Sequence, residues 1–213
     1  MKEPINLEDG APADLPQELK DHLPIAEAAS LANLETAKEL HAIELHDLQG
    51  LLRATSQARI GKDTKLGRLR FLAGNFSQVF SVHTACSSGC THCCHIGATV
   101  PRSEAQLIAK RTGAKLREPT HVHDILTPPV ANAYTGTACT FLKAGRCSIY
   151  AQRPMVCRTL INMDSVDVLC RLVPGMQVPV PYLNTQDIQA FFGSLVFKDD
   201  CADVREWFPE GAP

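Results

Sequence analysis

From Pro24 to about Ala58 the apolar positions return every three or four residues. Leu31, Leu34, Leu40, Ile43, Leu48, Leu51 and Leu52 alternate with Glu35, Lys38, Glu39 and Asp47. That spacing predicts one long helix or two, with an apolar stripe turned inward. Asp63 is placed to cap a further helix carrying Leu66, Leu69, Phe76, Val79 and Phe80, which would deliver the chain to Cys86. Ser103 and Gln106 have capping-box spacing ahead of Leu107 and Ile108, with Lys110 and Arg111 in the last turn and Gly113 as the stop. Thr185 is set to cap a last amphipathic helix with Ile188, Phe191, Phe192 and Leu195. Between these helices the pattern breaks. Pro119, Pro128 and Pro129 mark a loop from Glu118 to Gly136, and Pro174, Gly175, Pro179 and Pro181 mark an irregular stretch after Cys170. Strand signals are weak throughout. The expected fold is mostly α, a single domain with an irregular cysteine-rich core and an N-terminal helical arm.

The expected divisions are a flexible lead-in over 1–16, a helical region over 17–82, a cysteine-cluster domain over 83–173, and a C-terminal loop and helix over 174–213. The 213 residues allow one domain with a sizeable core, and a charged fraction of 21% is ordinary for a globular chain. The longest apolar run, Ala190 to Phe197, is far short of the ~18 residues that span a bilayer. No leader pattern stands at the start, so a cytoplasmic protein without membrane contact is expected. Residues 1–50 hold 11 acidic side chains against 3 lysines, and the remainder holds 12 against 18 basic ones. An acidic arm on a mildly basic body accounts for this asymmetry. Without interleaved aromatics, the basic excess argues against a nucleic-acid surface.

Nine cysteines change the picture, because eight of them fall in two dense blocks and the segment just after. The first block is Cys86-Ser-Ser-Gly-Cys90-Thr-His-Cys93-Cys94-His95. Small residues there let the backbone fold tightly, bring thiolates together and turn amide hydrogens toward sulfur, as a metal centre requires. The second block runs from Cys139 through Cys147 to Cys157 and holds Arg146, Arg153 and Arg158 without an acidic residue between Lys143 and Arg158. Four thiolates around zinc or a [4Fe–4S] cluster leave a net double negative charge, which such guanidinium groups would offset. In a reducing compartment, clustered thiols of this kind serve metals or catalysis more often than disulfides. A c-type haem is excluded, since Cys94 rather than His follows Cys93. A thioredoxin-like reading of Cys90–Cys93 lacks the βαβ pattern around it. His83, His92 and His95 read as supporting donors, and His121 and His123 as solvated.

These two blocks resemble the YkgJ family of cysteine-cluster proteins, a zinc- or iron-chelating domain. Its hallmark is a CxxCxxCC-like block followed by CPFLxxGxCxIYxxRPxxCR. Here the first is CSSGCTHCC, with one extra residue in the first gap, and the second is CTFLKAGRCSIYAQRPMVCR, with Thr140 where proline is usual. The resemblance covers roughly residues 86–171. It implies metal binding through Cys86, Cys90, Cys93, Cys94, Cys139, Cys147 and Cys157, with Cys170 as an eighth donor. Cys201 falls outside the pattern. Eight thiols are enough for two four-cysteine sites, or for one site with spare thiols.

Only Cys90–Cys93 has the CxxC spacing typical of structural zinc. That, the bunched first block and the arginines tilt the expectation toward an iron–sulfur cluster, with zinc as the other candidate cofactor. The related flagellin lysine-N-methylases share this kind of cysteine pattern. They imply the alternative of an iron–sulfur enzyme using S-adenosylmethionine, although no G-x-G-x-x-G, P-loop or paired carboxylate motif accompanies it here. The expected partner is thus a metal ion or cluster, and the sequence identifies no protein partner.

Overall fold

A computed structural model describes residues 14–86, 89–126 and 133–212, so most of the expected lead-in, Ser87–Ser88 and Pro128–Pro129 lie outside the described residues. The expected mostly α fold is present. Helix α1 spans Gln17–Leu40 and α2 spans Ala42–Gln57, separated only by His41, whose φ of −120° breaks the helical run. The first helix starts seven residues before Pro24, which lies inside it without an N–H to donate. Burial offsets that loss, because Leu15 and Leu19 pack with Leu169 and Val180. The inward stripe is also not the expected one. Leu34, Ala37, Leu45 and Leu48 are buried, while Leu31, Leu40, Ile43 and Leu51 are exposed.

Helix α3, Lys62–Ser81, is the hub of the frame and contacts α1, α2 and the later helices. Gly61 rather than Asp63 is its N-cap, and Asp63 sits in the first turn, where its charge still complements the helix dipole. Strand β1, Thr99–Pro101, leads into helix α4, Arg102–Thr112. The expected capping box is absent here. Pro101 is the N-cap, and Asp199, distant in sequence, accepts from both the N–H and the hydroxyl of Ser103. Gly113 ends α4 as expected, in the left-handed region with φ 73°.

The cysteine region is irregular. Strands β2, Leu142–Lys143, and β3, Arg146–Cys147, form a minimal hairpin across Ala144 and Gly145, both at positive φ. Helix α5, Met155–Thr159, is a single turn started after Pro154. Helix α6, Gln186–Val196, packs Ile188, Phe192 and Val196 against Leu66, Leu69 and Met155. The chain then returns as strand β4, Cys201–Asp203, antiparallel to β1, and as the short helix α7, Val204–Trp207. Trp207 is fully buried and donates from Nε1 to the Val100 carbonyl at 2.8 Å. Burying a large apolar side chain in this way contributes roughly 1.5–3 kcal/mol. No helix among the described residues is long and apolar enough to cross a membrane.

A buried charge cluster joins this frame to the second cysteine block. Arg70 of α3 pairs with Glu104 of α4 at 3.0 Å, and both are almost wholly buried. Glu104 accepts from the Met155 N–H at 2.8 Å, and Arg70 donates to the Gln152 and Arg153 carbonyls. Burial pushes the Glu104 carboxyl pKa up, against the pull of Arg70. Arg158 donates to the carbonyls of Arg153 and Ala151, at 2.9 and 2.7 Å. One nitrogen of its guanidinium lies 2.6 Å from where a Cβ on Gly74 would stand, so a larger residue at that point of α3 must push Arg158 aside.

Candidate metal centre

Three segments carry the thiols to one place. The first block leaves α3 and reaches Cys90, then enters a 3-10 turn over His92–His95 that holds Cys93 and Cys94. The Cys139 N–H donates to the Cys94 carbonyl at 2.7 Å, which ties the second block to the first. The hairpin then returns Cys147 beside Cys139, and α5 carries Cys157. A further 3-10 turn, Val168–Cys170, presents Cys170 from the other side.

Seven thiols, Cys86, Cys90, Cys93, Cys94, Cys139, Cys147 and Cys157, line one cavity of about 310 Å³. Its other walls are largely apolar, with Ile96, Phe141, Ile149 and Val204 among them, and its charged lining side chains apart from the thiols are Arg146 and Arg153. An adjoining cavity of about 410 Å³ is lined by Cys86, Cys90, Cys93 and Cys170 together with His92 and Asn162. All nine cysteines are reduced, and Cys201 is buried away from both cavities, its thiol pKa pushed up to about 12 mainly by burial. A comparable cleft of about 350 Å³ between α2, α3 and the start of α6 holds no thiol.

The electrostatics of the protein's own groups favour neutral thiols. Burial is the main cause that raises Cys86 to about 11 and Cys170 to about 12, and it also raises Cys90, Cys139, Cys147 and Cys157. Cys93 is the exception. The Cys94 thiol donates to it and brings it down to about 7, with Arg153 adding to the effect, while Cys94 is raised in exchange.

Amide donors are already aimed at sulfur. The Asn162 N–H reaches Cys86 Sγ at 3.1 Å, and its side-chain Nδ2 reaches Cys170 Sγ at 3.3 Å. Backbone N–H groups two residues on, at His92, Phe141 and Ile149, serve Cys90, Cys139 and Cys147. Such N–H to sulfur bonds stabilise thiolates bound to a metal, so the donor set fits one. The thiols line walls rather than converge on a point. Among the described residues, no three histidine, cysteine or carboxylate groups are gathered as a single ion would hold them.

The three arginines singled out by the sequence take different places. Arg146 and Arg153 line the thiol cavity, whereas Arg158 is buried behind it and serves backbone carbonyls. Arg153 also donates to Ser77 Oγ and lies over the Tyr150 ring. Two further residues have no counterpart among the sequence expectations. Asn162 is buried and serves two thiols, as described. Arg205 of α7 pairs with Asp203 at 2.9 Å and donates to the carbonyls of Cys94, Ile96, Thr137 and Ala138, so one guanidinium fastens both cysteine blocks. Arg205 lies beyond the cysteine motif, in the sequence Val204-Arg-Glu-Trp-Phe208, and nothing local marks it. Of the histidines, only His92 lines either cavity, and Asp167 holds its Nε2 at 2.9 Å.

No curated protein and no solved structure matches this chain. Residues 85–173 match the family model CxxCxxCC, described as "Putative zinc- or iron-chelating domain". This stretch takes in both cysteine blocks and Cys170, and ends short of Asp203 and Arg205. Over residues 85–173 the cysteine core of this chain is therefore similar to the CxxCxxCC family of domains.

Proposed function

We propose that this protein binds an iron–sulfur centre of the [4Fe–4S] type through its clustered thiolates, with Arg146 and Arg153 offsetting the charge. The observation that carries the reading is the lining of the thiol cavity. Seven thiols share a largely apolar cavity of about 310 Å³ with two guanidinium groups and no carboxylate. A single tetrahedral zinc, with Zn–S of about 2.3 Å, requires four sulfurs in mutual contact. Thiols spread over the walls of a cavity this large suit a polynuclear cluster better. The amide donors at Cys86, Cys90, Cys139, Cys147 and Cys170 would lower the pKa of each bound thiolate and tune a cluster's potential.

Metal analysis and a visible spectrum on protein purified without oxygen test this reading. A brown sample with iron and acid-labile sulfide is expected. A colourless sample with stoichiometric zinc would overturn the cluster and leave chelation standing.

A further inference from the structure

We infer that the eight thiols form two separate four-thiol metal sites side by side, an inner one of Cys94, Cys139, Cys147 and Cys157 and an outer one of Cys86, Cys90, Cys93 and Cys170. The inference rests on the metal-binding reading above and adds to it the number of centres and the ligands of each.

The two cavities carry the division. Cys94, Cys139, Cys147 and Cys157 line only the cavity of about 310 Å³. Cys170 lines only its neighbour of about 410 Å³, and Cys86, Cys90 and Cys93 form the wall between the two. Once the inner four are grouped, the wall thiols have Cys170 as their fourth member.

Packing separates three of the inner thiols from Cys86 and Cys170. Cys139, Cys147 and Cys157 lie against the core built on Phe141, Trp207 and Phe208, whereas Cys86 lies against the core of Ile161 and Met163, and Cys170 against that of Leu169 and Val180. Hydrogen bonding gives a third, independent sorting. Asn162 donates to both Cys86 and Cys170, which fixes these two sulfurs around one buried residue. On the inner side, the Cys139 N–H to Cys94 carbonyl bond and the β2–β3 hairpin hold Cys94, Cys139 and Cys147 in register. The joint between the sets is Cys93–Cys94, adjacent in sequence, with the Cys94 thiol donating to Cys93. Cys93 lines both cavities and Cys94 only the inner one, so Cys93 can serve the outer side while Cys94 stays with the inner.

Metal content per chain, measured on the full protein purified without oxygen, tests the assignment. Cys170→Ala and Cys147→Ala should each retain half the wild-type metal. The double variant Cys90→Ala/Cys170→Ala should retain that same half, because both residues serve one site. The cross-site double Cys147→Ala/Cys170→Ala should retain none.

Full metal in Cys170→Ala, or complete loss in either single variant, would overturn the division in favour of one centre. Circular dichroism reports whether each variant keeps its helices. Should Cys147→Ala unfold, Cys94→Ala replaces it. Should both unfold, the outer variants decide: a half loss that does not deepen in their double carries the inference, and any other result refutes it. A wild-type chain without metal would instead overturn the metal-binding reading beneath.

Discussion

Replacing Arg205 with alanine should be among the most damaging single changes outside the cysteines. The side chain is only 6% exposed, and its guanidinium makes five bonds, one to Asp203 Oδ1 and one each to the carbonyls of Cys94, Ile96, Thr137 and Ala138. Removing one partner of a buried ion pair costs about 3–5 kcal/mol, because the other charge is left uncompensated. Each orphaned buried carbonyl costs about 1–3 kcal/mol on its own, but these costs overlap with the first, and water entering the vacated space relieves part of them. Asp203 also keeps the N–H groups of Ala98 and Arg205, which limits its share of the loss. The expected total is about 4 kcal/mol, a large part of the ~5–15 kcal/mol that holds a domain of this kind together. With a urea m-value of about 2 kcal/mol per molar, the midpoint should fall by about 2 M. Urea unfolding followed by helix circular dichroism measures the shift, and metal content measured in parallel should fall too, since both cysteine blocks are released. Arg205→Lys should fall between the two, because an ammonium cannot reach four carbonyls at once. A midpoint loss below about 0.5 M in Arg205→Ala, with m unchanged, would refute the claim that this guanidinium fastens the blocks.

Gly74→Ala should destabilise the protein by about 1–3 kcal/mol, against the ~1 kcal/mol gain usual for that change inside a helix, because the new Cβ would meet Arg158 NH1 at 2.6 Å and Arg158 is held by two carbonyls. Thermal unfolding checks the sign, and a raised Tm would show that Arg158 can move aside. In the metal-free, reduced chain, Cys86 and Cys170 titrate at about 11 and 12, while unfolded thiols ionise near pH ~8.5. Because the folded values are the raised ones, these groups' contribution is full below pH ~8.5 and is lost as pH climbs toward 11–12. The urea midpoint should therefore decline from about pH 9 upward and decline less in Cys86→Ala; a level profile to pH 11 would contradict it. Cys201→Ala should keep the wild-type metal content, since Cys201 is buried outside both cavities, and a loss measured by elemental analysis would add it to the ligand set.

How much of this was legible in the sequence depends on the range of the interaction that decides each feature. Helix α3, the Gly113 stop and α6 follow from periodicity and local chemistry, and the structure has them. The capping of α4 was misread because the acceptor is Asp199, some 96 positions from Ser103, and no local pattern could reveal it. The stripe on α1 and α2 was misread for a smaller reason. Spacing gives the period of the stripe but not its phase, which the packing partners choose: Leu34 and Leu48 are buried while Leu31 and Leu51, each three residues away, are exposed. Strands β1 and β4 are three residues each, too short for an alternation signal, and exist because their partner is supplied by the far end of the chain. The thiol positions were legible as a motif. Their division between two cavities was not, because it depends on Asn162 and on which core each cysteine packs against, neither of which leaves a mark in the cysteine spacing.

The arginines of this fold do two jobs that sequence alone merges into one. An irregular backbone brought into the interior leaves carbonyls without ladder partners, and each must find a donor. Arg70, Arg158 and Arg205 supply theirs to Ala151, Gln152, Arg153, Cys94, Ile96, Thr137 and Ala138, the segments that flank the thiols. A guanidinium suits this role because it presents five donors in a rigid plane. Only Arg146 and Arg153 then remain to face the sulfurs directly, and two cations match the double negative charge of one four-thiolate centre. Arg153 also acts on Cys86 and Cys93 of the outer set, while Arg171, which lines the outer cavity, is turned to Glu18 at 2.9 Å, and His92 is held by Asp167. Amide donors serve both sets, Asn162 and His92 on the outer side and Phe141 and Ile149 on the inner. Two sites built from the same ligand type would thus sit in different fields, the inner one lined by Arg146 and Arg153 and the outer one reached by Arg153 alone, and a difference in metal affinity or reduction potential between them follows from that arrangement.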